Sequence, residues 1–139
     1  MAVVVDTEMS VLLRYLQVQR KHVLGVLEGL DDHALRRAVL PSGWSCLGMV
    51  QHLTLAAERM WFRAVVAEDS EAIDQVSSMA SSWQVDPEVP ATEILDRYRH
   101  EASLSDAVIT ASSTDADLLW WPFPRASGVC ITFGRSCST

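Results

Sequence analysis

The stretch Pro41-Ser42-Gly43-Trp44-Ser45-Cys46-Leu47-Gly48-Met49-Val50-Gln51-His52-Leu53 contains a turn that leads into a helix. Pro41 and Gly43 interrupt regular structure, and Ser45 is a suitable N-cap because its hydroxyl can accept a hydrogen bond from the first helical turn. The helix is predicted over residues 45–68, and its apolar residues cover most of its circumference. A helix that is apolar on nearly all sides is usually central, so this segment is expected to organise the fold.

Two other segments have the period of an amphipathic helix. Residues 7–30 place their apolar side chains on one arc and polar ones on the opposite arc, and residues 92–111 form a second apolar stripe with Thr92 as the expected N-cap. The predicted core arc of the first helix consists of Met9, Leu12, Leu13, Leu16, Val23, Leu27 and Leu30. Together the segments predict an all-α, up-down helical bundle with three long helices and an incomplete or irregular fourth element.

Two stretches of the chain break this helical pattern. A run of serines and two prolines interrupts residues 69–90, where Trp83 is the expected anchor. Residues 125–139 carry two arginines and no acid, have no helical period, and show strand character only at residues 128–133. We therefore divide the chain into a helical domain over residues 7–124 and an atypical tail over residues 125–139.

The composition excludes several classes of protein. The chain has 139 residues, enough for one domain with a core, and a formal charge of −7 without a basic cluster, which argues against nucleic acid as a partner. Its apolar runs are shorter than the ~18 residues of a membrane span, and its first residues lack the basic region of a signal peptide. Cys46, Cys130 and Cys137 follow no metal or disulfide spacing. We expect a cytoplasmic protein without a membrane partner.

The segment Pro41-Ser-Gly-Trp-Ser-x-Leu-Gly-x-Val-x-His52-Leu, followed by Glu58-Arg-x-Trp-Phe62, resembles the DinB-like superfamily, most closely its actinobacterial branch of uncharacterised domains. Leu16-x-x-x-Arg20, Tyr98-Arg99 and Trp120-Trp121-Pro122 extend the resemblance over roughly residues 7–124. The resemblance implies a four-helix bundle, often a homodimer, with a divalent metal such as Zn or Ni bound by three histidines. One of these histidines matches His52, and the other two lie four residues apart on the fourth helix, where they share one face.

Relatives with known activity include mycothiol-dependent isomerases and bacillithiol transferases. The resemblance therefore implies a low-molecular-weight thiol as cofactor, whose pKa the metal lowers so that the thiolate can attack an electrophile. This chain departs from the pattern after Trp121-Pro122, because no histidine follows His100. We interpret the departure as a reading frame shifted or truncated near Arg125, which a His-x-x-x-His helix in another frame of the gene would support. His52 is then one ligand of an incomplete metal site.

Simpler interpretations compete with each functional one. A lone histidine on a helix is commonly structural, and His22 and His33 are expected to be exposed, while His100 lies at the edge of its stripe. Cys46 is close to a helix N-terminus, which can lower a thiol pKa, but the favoured interpretation is a small buried residue under the Trp44 turn. The tryptophans are either core or the lining of an apolar pocket. The alternative function is therefore a non-enzymatic helical binding or dimerisation module with an apolar pocket.

Overall fold

The computed structural model describes residues 7–118, 120–123, 130–131 and 136–137. The described helices are α1 Thr7–Gly25, α2 Asp32–Arg36, α3 Cys46–His52, a π-helix Leu53–Val66, α4 Ser70–Asp74, a 3₁₀-helix Val76–Ser81 and α5 Ala91–Thr110. Two short strands, β1 Cys130–Ile131 and β2 Ser136–Cys137, pair antiparallel with Cys130 opposite Cys137. The prediction of an all-α fold is confirmed, and β1 falls inside the segment with strand character. The rest of the tail lies outside the described residues.

Helix α1 is shorter and less deeply packed than the sequence predicts. It ends at Gly25, after which a turn leads to Gly29 at a φ of +80°. Met9 of the predicted core arc is buried, but Leu12 and Leu30 are exposed. A Cβ at Gly25 would meet nothing within 4 Å, so no neighbouring element among the described residues approaches the end of α1 closely.

The turn before α3 forms as the breakers predict. Asp31 caps α2 by accepting a hydrogen bond from the Ala34 N–H. The chain then turns at Gly43, which adopts a φ of +84° that L-residues rarely occupy. The Ser45 hydroxyl accepts a hydrogen bond from the Gly48 N–H at 2.9 Å, which confirms Ser45 as an N-cap.

The long central helix is present but changes type at Leu53. From there to Val66 it is a π-helix, and the following Ala67 N–H donates to the carbonyl of Phe62, five residues earlier. The Thr54 hydroxyl donates to the Val50 carbonyl at the transition, a side-chain bond that competes with the backbone ladder. Wider helices of this kind are rare and frequently occur at functional sites.

The segment between the π-helix and α5 is ordered by capping and by contacts with α2 and α3. Asp69 caps α4 by accepting from the N–H groups of Glu71 and Ala72. Arg36 of α2 donates to the carbonyl of Val89. These bonds give a stretch without long helices a defined path across the bundle.

Helix α5 begins at Ala91 after Pro90, so the prediction of Thr92 as a hydrogen-bonding N-cap is wrong. It packs mainly against the π-helix and α3. The central apolar cluster joins α2, α3 and α5 and consists of Leu35, Leu47, Val50, Ile94 and Tyr98. This cluster fixes the position of α3, and with it the position of His52.

Candidate functional site

His52 lies at the end of α3 and is half-buried beneath the segment that follows the 3₁₀-helix. Its Nδ1 is 2.8 Å from the hydroxyl oxygen of Ser82, which is buried. The Trp44 ring contacts the imidazole edge-on with centroids 5.2 Å apart, and Trp44 stacks on Trp83 at 5.9 Å. We call His52, Ser82, Trp44 and Trp83 the His52 cluster.

Two neighbours of His52 fasten the 82–84 segment to α3. The Gln51 amide donates to the carbonyls of Ser82 at 2.7 Å and of Gln84 at 2.8 Å. At Gly48 a Cβ would stand 2.4 Å from the Trp83 carbonyl oxygen, so only glycine permits this approach without a shift. The prediction that Trp83 anchors the long connection is consistent with its stacking on Trp44.

An apolar cavity of about 280 Å³ adjoins the His52 cluster. Trp44 belongs to both, since its ring contacts His52 and also lines the cavity. The other lining residues come from α1, the 39–40 turn and α3: Val23, Val26, Leu27, Val39, Leu40, Ser45, Cys46, Met49, Val50 and Leu53. Cys46 is half-buried in this lining. An imidazole beside an apolar cavity is the usual composition of a small-molecule site.

The remaining histidines do not join His52. His22, His33 and His100 are exposed on α1, α2 and α5. Within the described ranges, no group of three or more His, Cys, Asp or Glu side chains is placed to hold a metal ion. The described residues thus supply His52 of the expected ligand set and no second or third ligand beside it.

A buried ionic cluster in the middle of the bundle was not predicted from the sequence. Arg20 of α1 is 7% exposed and donates to both carboxylate oxygens of Glu58, which is 4% exposed, at 2.7 and 2.6 Å. A third arm of the guanidinium pairs with Asp106 of α5. Burial acts to lower the pKa of Arg20, but the hydrogen bonds to Glu58 and Asp106 outweigh it and the pKa is raised. Arg20 is therefore a fully paired cation joining three helices.

A second ionic group lies beside the first. Glu101 of α5, 1% exposed, accepts from Arg59 at 2.9 Å and from Arg63 at 3.1 Å. Arg63 also pairs with Asp69, whose pKa is lowered by the Ala72 N–H and by this arginine. The signal that could have revealed both groups is Glu58, Arg59 and Arg63 within an otherwise apolar helix, because charges there need buried partners.

Tyr98 is buried beside the first ionic group. Burial raises the pKa of its hydroxyl, and the negative charge of Glu58 raises it further. One turn beyond Glu101, the hydroxyl of Ser105 is buried with no hydrogen-bond partner among the described residues. The interior of the bundle thus carries polar groups, but its charges are paired.

Most of the chain is similar to one family of known proteins. The sequence model of the mycothiol-S-transferase (MST) family matches residues 11–130. The chain belongs to this family. MST is a DinB-like family related to mycothiol-dependent enzymes, so the resemblance drawn from the Pro41–His52 motif is confirmed. No curated protein and no solved structure matches the chain.

Membership of the MST family raises the question of a metal. The described residues do not fit the three-histidine site that the resemblance implies, because His52 has no second histidine or cysteine beside it. The specific bundle arrangement and His52 as a metal ligand stay predictions. None of the described helices is long and apolar enough to span a membrane.

Proposed function

We propose that this chain binds a low-molecular-weight thiol at the His52 cluster and takes part in thiol-dependent transfer or isomerisation. The observation that carries the proposal is the MST family match over residues 11–130, which includes the whole of the His52 cluster. The family name points to mycothiol as the thiol. A cytoplasmic location belongs to the proposal.

The chemistry of the cluster suits a thiol and an apolar reaction partner. A thiolate, not a thiol, is the nucleophile in such reactions, so a polar group must favour the charged sulfur. His52 is the half-buried polar group that adjoins the apolar cavity through Trp44. In the proposed reaction the thiolate sulfur forms a bond to an electrophilic carbon of a small, largely apolar molecule held in the cavity, while the bond from that carbon to a leaving group breaks. The leaving group departs with that electron pair and takes up the proton that the thiol gave up. The cavity excludes water from part of that molecule.

Calorimetric titration of the purified protein with mycothiol tests this proposal. We expect saturable binding, and at least a tenfold weaker affinity in His52→Ala, because the polar group facing the thiol is lost. His33→Ala is the matched control, since His33 is exposed on α2. Absence of mycothiol binding by the unsubstituted protein, or equal affinity of His52→Ala, would reject the proposal.

A divalent ion is a separate part of the prediction. His52 is the residue predicted to bind Zn or Ni, as one ligand of an incomplete site. Thiol binding as proposed here does not depend on that ion. Metal analysis of the protein and of His52→Ala decides the point: stoichiometric metal that is lost in the variant supports the ion, and no metal in either rejects it.

A non-enzymatic helical binding or dimerisation module is the second candidate. Its support is an exposed apolar stripe on the outer face of α1, formed by Val11, Tyr15 and Val18. Their spacing places them on one side of the helix, as in helices that pack against a partner. A homodimer is the expected assembly. Sedimentation equilibrium over a range of concentrations checks it, and a strict monomer at all concentrations would count against this candidate.

A further inference from the structure

The hydrogen bond between His52 and Ser82 restricts which imidazole nitrogen carries a hydrogen. The Ser82 residue is 3% exposed, and its hydroxyl has His52 Nδ1 as its partner at 2.8 Å. In the part of the chain that the structure describes, the hydroxyl has no other partner. Only one hydrogen can lie in this contact, either the hydroxyl hydrogen of Ser82 or the imidazole hydrogen when it is on Nδ1.

The two tautomers of His52 differ in how they satisfy Ser82. With the hydrogen on Nδ1, the imidazole donates to the hydroxyl oxygen, and the buried hydroxyl hydrogen has no acceptor. With the hydrogen on Nε2, the hydroxyl donates to Nδ1, and both groups are satisfied. A buried donor without an acceptor costs the free energy of its lost hydration, and buried N–H donors without a partner are rarer in proteins than carbonyl oxygens with an unused lone pair. The Nε2–H tautomer is therefore favoured.

The other imidazole nitrogen is free to meet a ligand. His52 is half-buried, and its Nε2 has no hydrogen-bond partner among the described residues and is not a fully buried unsatisfied atom. An N–H at this position is not consumed by the fold. It is the donor that the His52 cluster presents outward.

We propose that Ser82 is a positioning residue that holds neutral His52 with its hydrogen on Nε2, so that Nε2–H donates to the thiolate of a bound small thiol. The identity of the ligand rests on the proposed function, whereas the tautomer rests on the contacts of Ser82. A donor hydrogen bond to a thiolate stabilises the charged sulfur and lowers the pKa of the bound thiol. In this tautomer Nε2 has no lone pair in the ring plane for a metal ion, so stoichiometric metal held by His52 would also overturn the inference.

Several contacts keep Ser82 at the right distance. Gln51 binds the Ser82 carbonyl, and Gly48 lets the Trp83 carbonyl approach α3. Trp44 packs edge-on against the imidazole and restricts its rotation. The hydroxyl and the ring are therefore held by elements on both sides, as a preorganised donor requires.

Long-range ¹H–¹⁵N NMR of the His52 imidazole, recorded where the ring is neutral, tests the tautomer. We expect the Nε2–H pattern in the unsubstituted protein and in Ser82→Thr, which keeps the hydroxyl. In Ser82→Ala we expect a mixture of tautomers, because the group that distinguishes them is lost. An Nδ1–H pattern in the unsubstituted protein, or an unchanged pattern in Ser82→Ala, would overturn the inference.

Titration of the same samples with mycothiol tests the donor role. We expect the His52 Nε2 and its hydrogen to shift on binding, with a three- to tenfold lower affinity in Ser82→Ala that Ser82→Thr restores. Binding that leaves the Nε2 resonances unmoved would overturn the donor role. A protein that does not bind mycothiol but shows the Nε2–H pattern would reject the proposed function while supporting the tautomer, so the two failures are distinguishable.

Discussion

Polar side chains are bonded differently in two regions of the molecule, the buried ionic groups and the His52 cluster. Arg20, Glu58 and Glu101 are buried, and each is paired with an opposite charge from another helix. His52 is half-buried, uses one nitrogen in a hydrogen bond with Ser82, and leaves the other without a partner among the described residues. The charged side chains of the ionic groups are bonded to one another and hold the helices together, whereas one imidazole nitrogen of His52 stays available for a ligand.

This difference explains why the buried charges, despite their shifted pKa values, are not the groups that we propose for function. Buried charges shift each other's pKa in structural networks as well as in active sites. The pKa of Arg20 is raised because its hydrogen bonds to Glu58 and Asp106 outweigh the effect of burial. A ligand would have to displace these two carboxylates. We therefore regard the ionic groups as contacts that hold the helices together, and we propose the His52 cluster as the functional site.

Among the substitutions considered, Arg20→Ala should cause the largest loss in the free energy of unfolding. The substitution leaves the Glu58 carboxylate buried without its cation and also removes the cation that pairs with Asp106. Breaking one side of a buried ion pair costs about 3–5 kcal/mol. Chemical denaturation should show this loss of the free energy of unfolding.

Arg97→Ala is the control for Arg20→Ala. Arg97 pairs with Glu93 on the exposed side of α5, both more than two-fifths accessible, and such pairs contribute less than about 1 kcal/mol. If Arg20→Ala lowers the free energy of unfolding no more than Arg97→Ala does, the ionic groups do not hold the helices together as we infer.

Gly48→Ala should disturb the His52 cluster without touching the ionic groups. The new Cβ would lie 2.4 Å from the Trp83 carbonyl oxygen, a backbone atom, so the 82–84 segment must move away from α3. Overpacking of this kind costs about 1–3 kcal/mol. We expect lower thermal stability together with a change in tryptophan fluorescence, because Trp44 and Trp83 are stacked.

Gly25→Ala separates this clash from the general effect of replacing glycine in a helix. A Cβ at Gly25 meets nothing within 4 Å, and Ala is favoured over Gly in a helix by about 1 kcal/mol. Gly25→Ala should therefore be neutral or stabilising. Equal stability of the two variants would mean that the 82–84 segment does not press on α3.

The helical fold could be predicted because each of its signals is local. The period of apolar residues indicated the long helices, Pro41 and Gly43 indicated the turn, and Ser45 was recognised as an N-cap. The end of α1 was placed too late because the apolar period continues through a turn to Leu30. The change to a π-helix at Leu53 was not predictable from the period, since it depends on tertiary contacts.

The site could be predicted only in part, for a similar reason. The motif around His52 identified the residue, but Ser82 lies 30 positions away in a serine-rich stretch that looks like a loop. The partners of Arg20 are 38 and 86 positions away. Pairings at such separations are fixed by how the helices pack, and a single sequence does not contain that information.

Tyr98→Phe should have the smallest effect, visible only at high pH. The pKa of Tyr98 is raised by burial and by Glu58, so the folded chain keeps the hydroxyl neutral at a pH where the unfolded chain, with a pKa near ~10, ionises it. The stabilising contribution is fully present below pH ~10 and is lost as pH rises through the folded pKa. The protein should lose up to about 1.4 kcal/mol per pH unit relative to Tyr98→Phe in that window.

Denaturant unfolding from pH 8 upward measures the slope, with Tyr15→Phe on the exposed face of α1 as the control for removing a tyrosine hydroxyl. Parallel pH profiles of the unsubstituted protein and Tyr98→Phe would show that neither burial nor the charge of Glu58 favours the neutral hydroxyl of Tyr98 in the folded chain.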